Sequence, residues 1–293
     1  VTLGVAGVGL IGGSIVLRAR QLGWSVGVYD IAPEHRRIAL EHLGASFTAE
    51  SLPALAARCE TLAICAPLDA TLEALATLAA LNPPEGRVMP PVSPGDARTA
   101  PALVLDVASV KLPTARAGAA QHAFVATHPI AGSERSGPAA ARADLFVGRV
   151  WTYDPAAAAV SCARAVGFIE AMGALPVPIA SAEHDRIVAL TSHLPQLLSV
   201  ALGAALEPHI ERPEVAALSG TGVRSMLRLA GSSWTVWEAV LRANASALAQ
   251  EVRGLADILT GVASALETDA PDVLAQLFAR AAVAADHLHR DDE

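Results

Sequence analysis

"TLGVAGVGLIGGS", residues 2–14, is the stretch on which the reading of the fold turns. It opens as a short apolar strand, passes through glycines spaced Gly7-x-Gly9-x-x-Gly12, and runs into the helical pattern "IVLRARQLG". Each glycine has its own task. Gly7 permits a tight turn, Gly9 lets the backbone approach a pyrophosphate, and Gly12 lets the helix pack closely. The helix N-terminus, with Leu10 and Ile11 in its first turn, then faces the negative charge. A second strand, "SVGVYD", ends in Asp30, eighteen residues beyond Gly12. A carboxylate there accepts the ribose hydroxyls and repels a 2′-phosphate, so NAD is the expected cofactor. Arg36 and Arg37 lie close enough to leave NADP tolerance open.

The alternation continues outward from this unit. Residues 60–67 and 102–109 read as buried strands with the helix "ATLEALATLAAL" between them, and 123–128, 148–155 and 174–180 are three further strand candidates, with a helix near 157–172. These βαβ units predict an α/β, Rossmann-type, doubly wound and mostly parallel sheet over residues 1–180. Residues 82–101, rich in Pro and Gly, read as a surface loop. Beyond 180 the pattern changes to alanine- and leucine-rich helices at 182–206, 213–230, 232–266 and 270–288. An all-helical C-terminal domain is expected over 181–293. Helices this apolar need a surface to bury against, and a second copy of the chain supplies one, so a homodimer is expected.

Composition narrows the function. The net charge of −8 and the lack of a basic stripe exclude nucleic acid as a partner. Three scattered cysteines suit a reducing cytoplasm, and no uninterrupted apolar run suggests a membrane span. Among 21 basic residues Lys111 is the sole lysine. It sits in "DVASVK", which follows a predicted strand and also holds Asp106 and Ser109. Taken alone, Ser109 and Lys111 read equally as a helix cap with a solvated lysine.

Ligands of an open parallel sheet bind beyond the carboxyl ends of its strands. A second strand end there carries "ATHPIAGSERSG" and places His128 before a proline that keeps its backbone extended. An enzyme that moves hydride from an alcohol needs a base for the hydroxyl proton, and neutral imidazole suits that task. His128 is the candidate. The helical half adds "EHDRIVALTSHLPQ", with His184, Asp185, Ser192 and His193, and "GTGVRSMLRLAGSSWTVW", with Arg224, Arg228, Trp234 and Trp237. Arginines in so apolar a region call for anionic partners.

Taken in order, "GVGLIGGS" with Asp30, "DVASVK", "HPIAGSERSG", "TSHLPQ" and "GVRSMLRLAGSSWTVW" resemble the prephenate/arogenate (cyclohexadienyl) dehydrogenases of tyrosine biosynthesis. The resemblance implies NAD-dependent oxidative decarboxylation of prephenate to 4-hydroxyphenylpyruvate, CO2 and NADH. By the family pattern Ser109 orients His128 and the substrate hydroxyl, and Arg228 binds the substrate carboxylate. His193 and Glu134 lie at the pocket, and Trp237 lines or closes it. Many relatives carry an aspartate where this chain has Ser225, and a hydroxyl pairs poorly with the ammonium of arogenate. Prephenate is therefore the expected substrate, with a weak response to tyrosine. Arogenate and 4-amino-4-deoxyprephenate remain alternative substrates, and an inactive NAD-binding sensor is the alternative outside enzymes. A β-hydroxyacid dehydrogenase would need a lysine base in the helical half, which contains none.

Overall fold

A computed structural model of the chain describes residues 1–81, 100–121, 123–132 and 135–289. Glu134 and all but the last two residues of the expected loop at 82–101 lie outside the described residues. Strand β1 (Thr2–Ala6) leads through the glycine turn into α1 (Leu10–Gln21). There follow β2 (Ser25–Tyr29), α2 (Pro33–Glu41), β3 (Phe47–Thr48), α3 (Leu52–Ala56), β4 (Thr61–Ile64), α4 (Leu68–Leu81), β5 (Leu103–Asp106), α5 (Leu112–Gly118) and β6 (Phe124–Val125). The six strands are parallel in the order β3-β2-β1-β4-β5-β6. This is the doubly wound dinucleotide-binding order. Helices cover both faces, which is why β5 is buried along its whole length and reads as an unbroken apolar run up to its final aspartate.

The stretch 123–128, expected as one strand, divides at Ala126. Its second part begins β7 (Thr127–Pro129), which pairs antiparallel with β8 (Val150–Tyr153). After α6 (Ala159–Ala171), β9 (Leu175–Pro178) completes this second sheet alongside β8. The break has a local cause. Thr127 donates its N–H to Asp106 Oδ1 at 3.1 Å and its hydroxyl to the Asp106 carbonyl at 2.5 Å, so the residue ending β5 captures the chain and redirects it. Phe146, Trp151 and Phe168 fill the space beside the switch, with ring centroids 4.9 and 5.9 Å apart.

Next come α7 (Ser181–Val188), a π-helical turn at Ala189–His193 and α8 (Leu194–Leu206). The expected helix 213–230 is two short ones, α9 (Pro213–Leu218) and α10 (Thr221–Met226), parted at Ser219 and Gly220. The expected 232–266 is α11 (Trp234–Ala243) and α12 (Ala245–Glu267), parted at Asn244, whose side chain bonds inward. Helix α13 (Pro271–His289) follows. The chain forms two compact units, Val1–Asn244 and Ala245–Glu293, so helices α7 to α11 belong to the unit that holds the sheet. In the second unit α12 and α13 pack on each other and expose large apolar side chains, among them Leu259, Leu266, Phe278 and Val283.

Among the described residues one helical stretch, Ser181–His209, is long and apolar enough to cross a membrane by length and composition, although Thr191, Ser192, His193, Pro195 and Gln196 interrupt its apolar run as expected. It also buries His184, Asp185, His193, Gln196 and Ser199, each bonded within the protein. That is how a helix packed against polypeptide behaves, since buried polar groups need partners.

Candidate active site

The glycine turn is shaped by what a side chain would strike. Gly7 has φ +96°, and a Cβ on it would lie 2.6 Å from the Cys65 carbonyl oxygen. A Cβ on Gly12 would meet the Gly7 carbonyl oxygen at 2.0 Å, whereas Gly9 faces open space. The first helical turn carries no acidic residue and no side-chain cap, so its N–H groups remain available to an anion. Asp30 is buried at the end of β2, its carboxylate accepting the N–H of Val8 at 2.7 Å and of Ala32 at 2.8 Å. The acidic residue is thereby fixed to the turn it serves. Arg36 bonds the Asp30 carbonyl, and Arg37 is committed to Glu34 and Glu41. These residues fit a dinucleotide with free ribose hydroxyls.

Strand register joins this turn to the candidate base. Ala6 pairs with Ile64, and Ile64 with Asp106. With neighbouring strands about 4.8 Å apart, Asp106 sits roughly 10 Å from the residue before Gly7, on the same edge. Asp106 in turn clasps Thr127, and Lys111 closes the clasp: its Nζ lies 2.5 Å from Asp106 Oδ2 and 2.7 Å from the Thr127 carbonyl oxygen. The sole lysine is buried, a strut beneath the residue before His128 rather than a solvated cap. Burial pushes its pKa down, and the Asp106 carboxylate opposes the shift.

His128 Nδ1 lies 2.9 Å from His184 Nε2, and His184 Nδ1 lies 2.8 Å from Asp185 Oδ1. The Asp185 carboxylate also accepts the N–H of Lys111 and of Leu112, at 2.7 and 2.9 Å. Desolvation holds the pKa of His128 well below the usual histidine range, and Lys111, His184 and His193 add to the effect. His193 is buried, which pushes its pKa down to about 4. Asn244 Nδ2 bonds both the Asp185 carbonyl oxygen at 2.7 Å and His193 Nδ1 at 3.2 Å. The Trp237 ring stands edge-on to His193 with centroids 5.8 Å apart.

The segment bearing Arg228 is tied to the same helix. Gln196 donates to the Leu229 carbonyl at 2.8 Å and Ser199 to the Met226 carbonyl at 2.7 Å, both from the face of α8 that follows His193 at three-residue steps. Arg228 is exposed and forms no ion pair among the described residues, and Arg224 bonds a backbone carbonyl, not an acid. Ser225 is exposed on α10, its carbonyl accepting the Arg228 N–H at 3.3 Å. Ser109 is exposed beyond β5 and makes no side-chain hydrogen bond to His128 among the described residues. His184 occupies the place at His128 Nδ1. Its pairing with Asp185 was visible in sequence only as a polar cluster, and Asn244 carried no signal beyond an amide between two apolar helices.

Two family models match the chain: "Prephenate dehydrogenase, nucleotide-binding domain" over residues 96–174 and "Prephenate dehydrogenase, dimerization domain" over residues 180–280. The probable prephenate dehydrogenase NovF of Streptomyces niveus is 34% identical over 282 residues, covering 90% of this chain and 67% of that protein. The chain belongs to the prephenate dehydrogenase family. A second family member, the prephenate dehydrogenase of Bacillus subtilis (strain 168), is 28% identical over 249 residues, 83% of this chain and 64% of its own. The match thus spans about two thirds of the length of these relatives. Aquifex aeolicus prephenate dehydrogenase, solved with hydroxyphenyl propionate and NAD+, shares the family fold at TM-score 0.81 and 20% identity, with 98% of each chain covered.

Proposed function

We propose that this chain catalyses the NAD-dependent oxidative decarboxylation of prephenate to 4-hydroxyphenylpyruvate, CO2 and NADH, the dehydrogenase step of tyrosine biosynthesis. One observation carries the reading: the register Ala6, Ile64, Asp106 sets on one edge of the sheet a glycine turn built for a pyrophosphate and the aspartate that holds Thr127, next to which stands an imidazole kept neutral. Gly7, Gly9 and Gly12, the N–H groups at Leu10 and Ile11, and Asp30 would hold the dinucleotide, which when bound would supply the acceptor for the hydride leaving ring C4. His128 takes the proton of the C4 hydroxyl, and Ser109 lies free to bond that hydroxyl. Loss of the ring carboxylate as CO2 leaves an aromatic product, which makes the step irreversible.

The remaining residues place the substrate. His193 accepts from Asn244 at Nδ1, so its neutral ring presents Nε2–H as a donor. Trp237 beside it offers an aromatic wall. Arg228 supplies the cation for a substrate carboxylate. A carboxylate that must leave is poorly served by tight binding, so this arginine orients the substrate more than it speeds CO2 loss. Glu134 is retained as a pocket residue on the family pattern alone.

Residues 181–293 are read as the substrate and dimerisation domain, following 1–180 as the dinucleotide domain. The model matched at 180–280 and the exposed apolar side chains of α12 and α13 support a homodimer. A cytoplasmic location is supported by three free cysteines.

Purified protein mixed with NAD and prephenate, followed at the NADH absorbance band, tests the function. Wild type should produce NADH. His128→Asn should lose roughly 100-fold to 10,000-fold in kcat while still binding substrate. Silence with prephenate, arogenate and the 4-amino analogue alike would overturn the reading.

A further inference from the structure

We infer that His184 and Asp185 are positioning residues which fix the tautomer of His128, holding a proton on Nδ1 and leaving the Nε2 lone pair to act as base. The inference rests on the assignment of His128 as the base of the proposed reaction. A carboxylate only accepts, so His184 must present a proton at Nδ1 to Asp185 Oδ1, 2.8 Å away. A neutral imidazole has one proton, so His184 Nε2 is then an acceptor. It faces His128 Nδ1 at 2.9 Å, and that nitrogen must donate. The His128 proton is thus placed by a residue 56 positions along the chain.

The anchor of this chain is rigid. Asp185 accepts two backbone N–H groups from the start of α5, so its carboxylate is held where His184 needs it. His184 is 2% exposed, and its ring meets that of His128 edge-on with centroids 5.1 Å apart. When His128 Nε2 takes the C4-hydroxyl proton, the O–H bond breaks and an N–H bond forms. The resulting imidazolium donates from Nδ1 to His184, whose own Nδ1–H points at a carboxylate. The new charge therefore sits at the end of a hydrogen-bonded line leading to Asp185, an arrangement related to the carboxylate–imidazole pairing of hydrolytic triads.

Asp185 variants would disturb α5, so the test uses His184→Gln, whose amide oxygen can still accept from His128 Nδ1, and His184→Leu, which cannot. Ring-nitrogen NMR of the full chain labelled with [15N]histidine reads the tautomer directly. Wild type and His184→Gln should show His128 protonated at Nδ1, and the Gln variant should keep kcat within about tenfold. The Leu variant should show mixed tautomers and lose about 100-fold in kcat at unchanged KM for NAD. A His128 protonated at Nε2 in wild type, or a Leu variant with kcat within about threefold of wild type, would overturn the inference. If wild type makes no NADH from prephenate, the functional reading fails, and the spectra of wild type and the Gln variant still decide the tautomer. They decide it equally if the Leu variant does not fold.

Discussion

The ammonium of Lys111 lies 2.5 Å from Asp106 Oδ2, with the two side chains 3% and 0% exposed. So dry a pair contributes little net stability when whole, because desolvation offsets much of the attraction. Its value is geometric. Through Asp106 and Lys111 the end of β5 grips both sides of Thr127, and the neighbouring His128 inherits the position.

Removing one partner should be costly, since the other is left buried and uncompensated. Lys111→Met is expected to lower stability by about 3–5 kcal/mol. Urea unfolding monitored by circular dichroism measures it. A loss below about 1 kcal/mol would show that water reaches Asp106 and that the strut is not dry.

Arg228 stands apart from this framework. It is exposed and without an acidic partner among the described residues, so Arg228→Ala should leave thermal stability nearly unchanged. The KM for prephenate should rise roughly 10-fold to 100-fold, the worth of a charged hydrogen bond. An unchanged KM would remove Arg228 from the substrate site.

On the proposed reading Ser225, which lies on α10 one turn before Arg228, would set substrate choice. Steady-state kinetics should give a higher kcat/KM for prephenate than for arogenate. Ser225→Asp should move the ratio toward arogenate by about 10-fold, as a carboxylate gains the ammonium that the hydroxyl serves poorly. A wild-type preference for arogenate would refute the assignment.

The depressed pKa values predict an acid-labile fold. The folded chain keeps His193 neutral down to about pH 4, while the unfolded chain takes up its proton near the ordinary value of 6.5. Between those limits the unfolded state binds more protons, so stability is full above about pH 6.5 and falls as pH drops. The loss from His193 alone should reach roughly 2 kcal/mol at about pH 5 and about 3 kcal/mol at about pH 4. His128 acts in the same direction. Urea midpoints measured across this range in wild type and His193→Gln check it, because the variant should show the shallower slope.

What could be read from the chain follows from range. Gly7, Gly9, Gly12 and Asp30 are near neighbours whose spacing alone dictates a strand, a turn and a second strand, and the structure has that order. His128 announced itself as a polar residue between an apolar strand and a proline. The sheet switch at Ala126 did not, because its cause is a bond that Thr127 donates to Asp106, twenty-one residues earlier. Lys111 read as easily for a solvent-facing cap, since nothing local shows that Thr127 will cover it. The His184 contact and the Asn244 bridge are tertiary facts, and no spacing encodes them.

The π-helical turn at Ala189–His193 has a consequence for how the site tolerates change. His184 and His193 are nine residues apart, about two and a half turns of an ordinary α-helix, which would aim them in opposite directions. The wider turn takes up part of that rotation, and Asn244 then spans from the Asp185 carbonyl to His193. Deleting any one of Ala189, Leu190, Thr191 or Ser192 would leave the helix nearly as apolar and as continuous as before. It would nevertheless re-phase everything beyond by about 100°, swinging His193, Gln196 and Ser199 away from the partners that make them useful. Between Ala189 and Ser192 the count of residues matters more to the site than their identity.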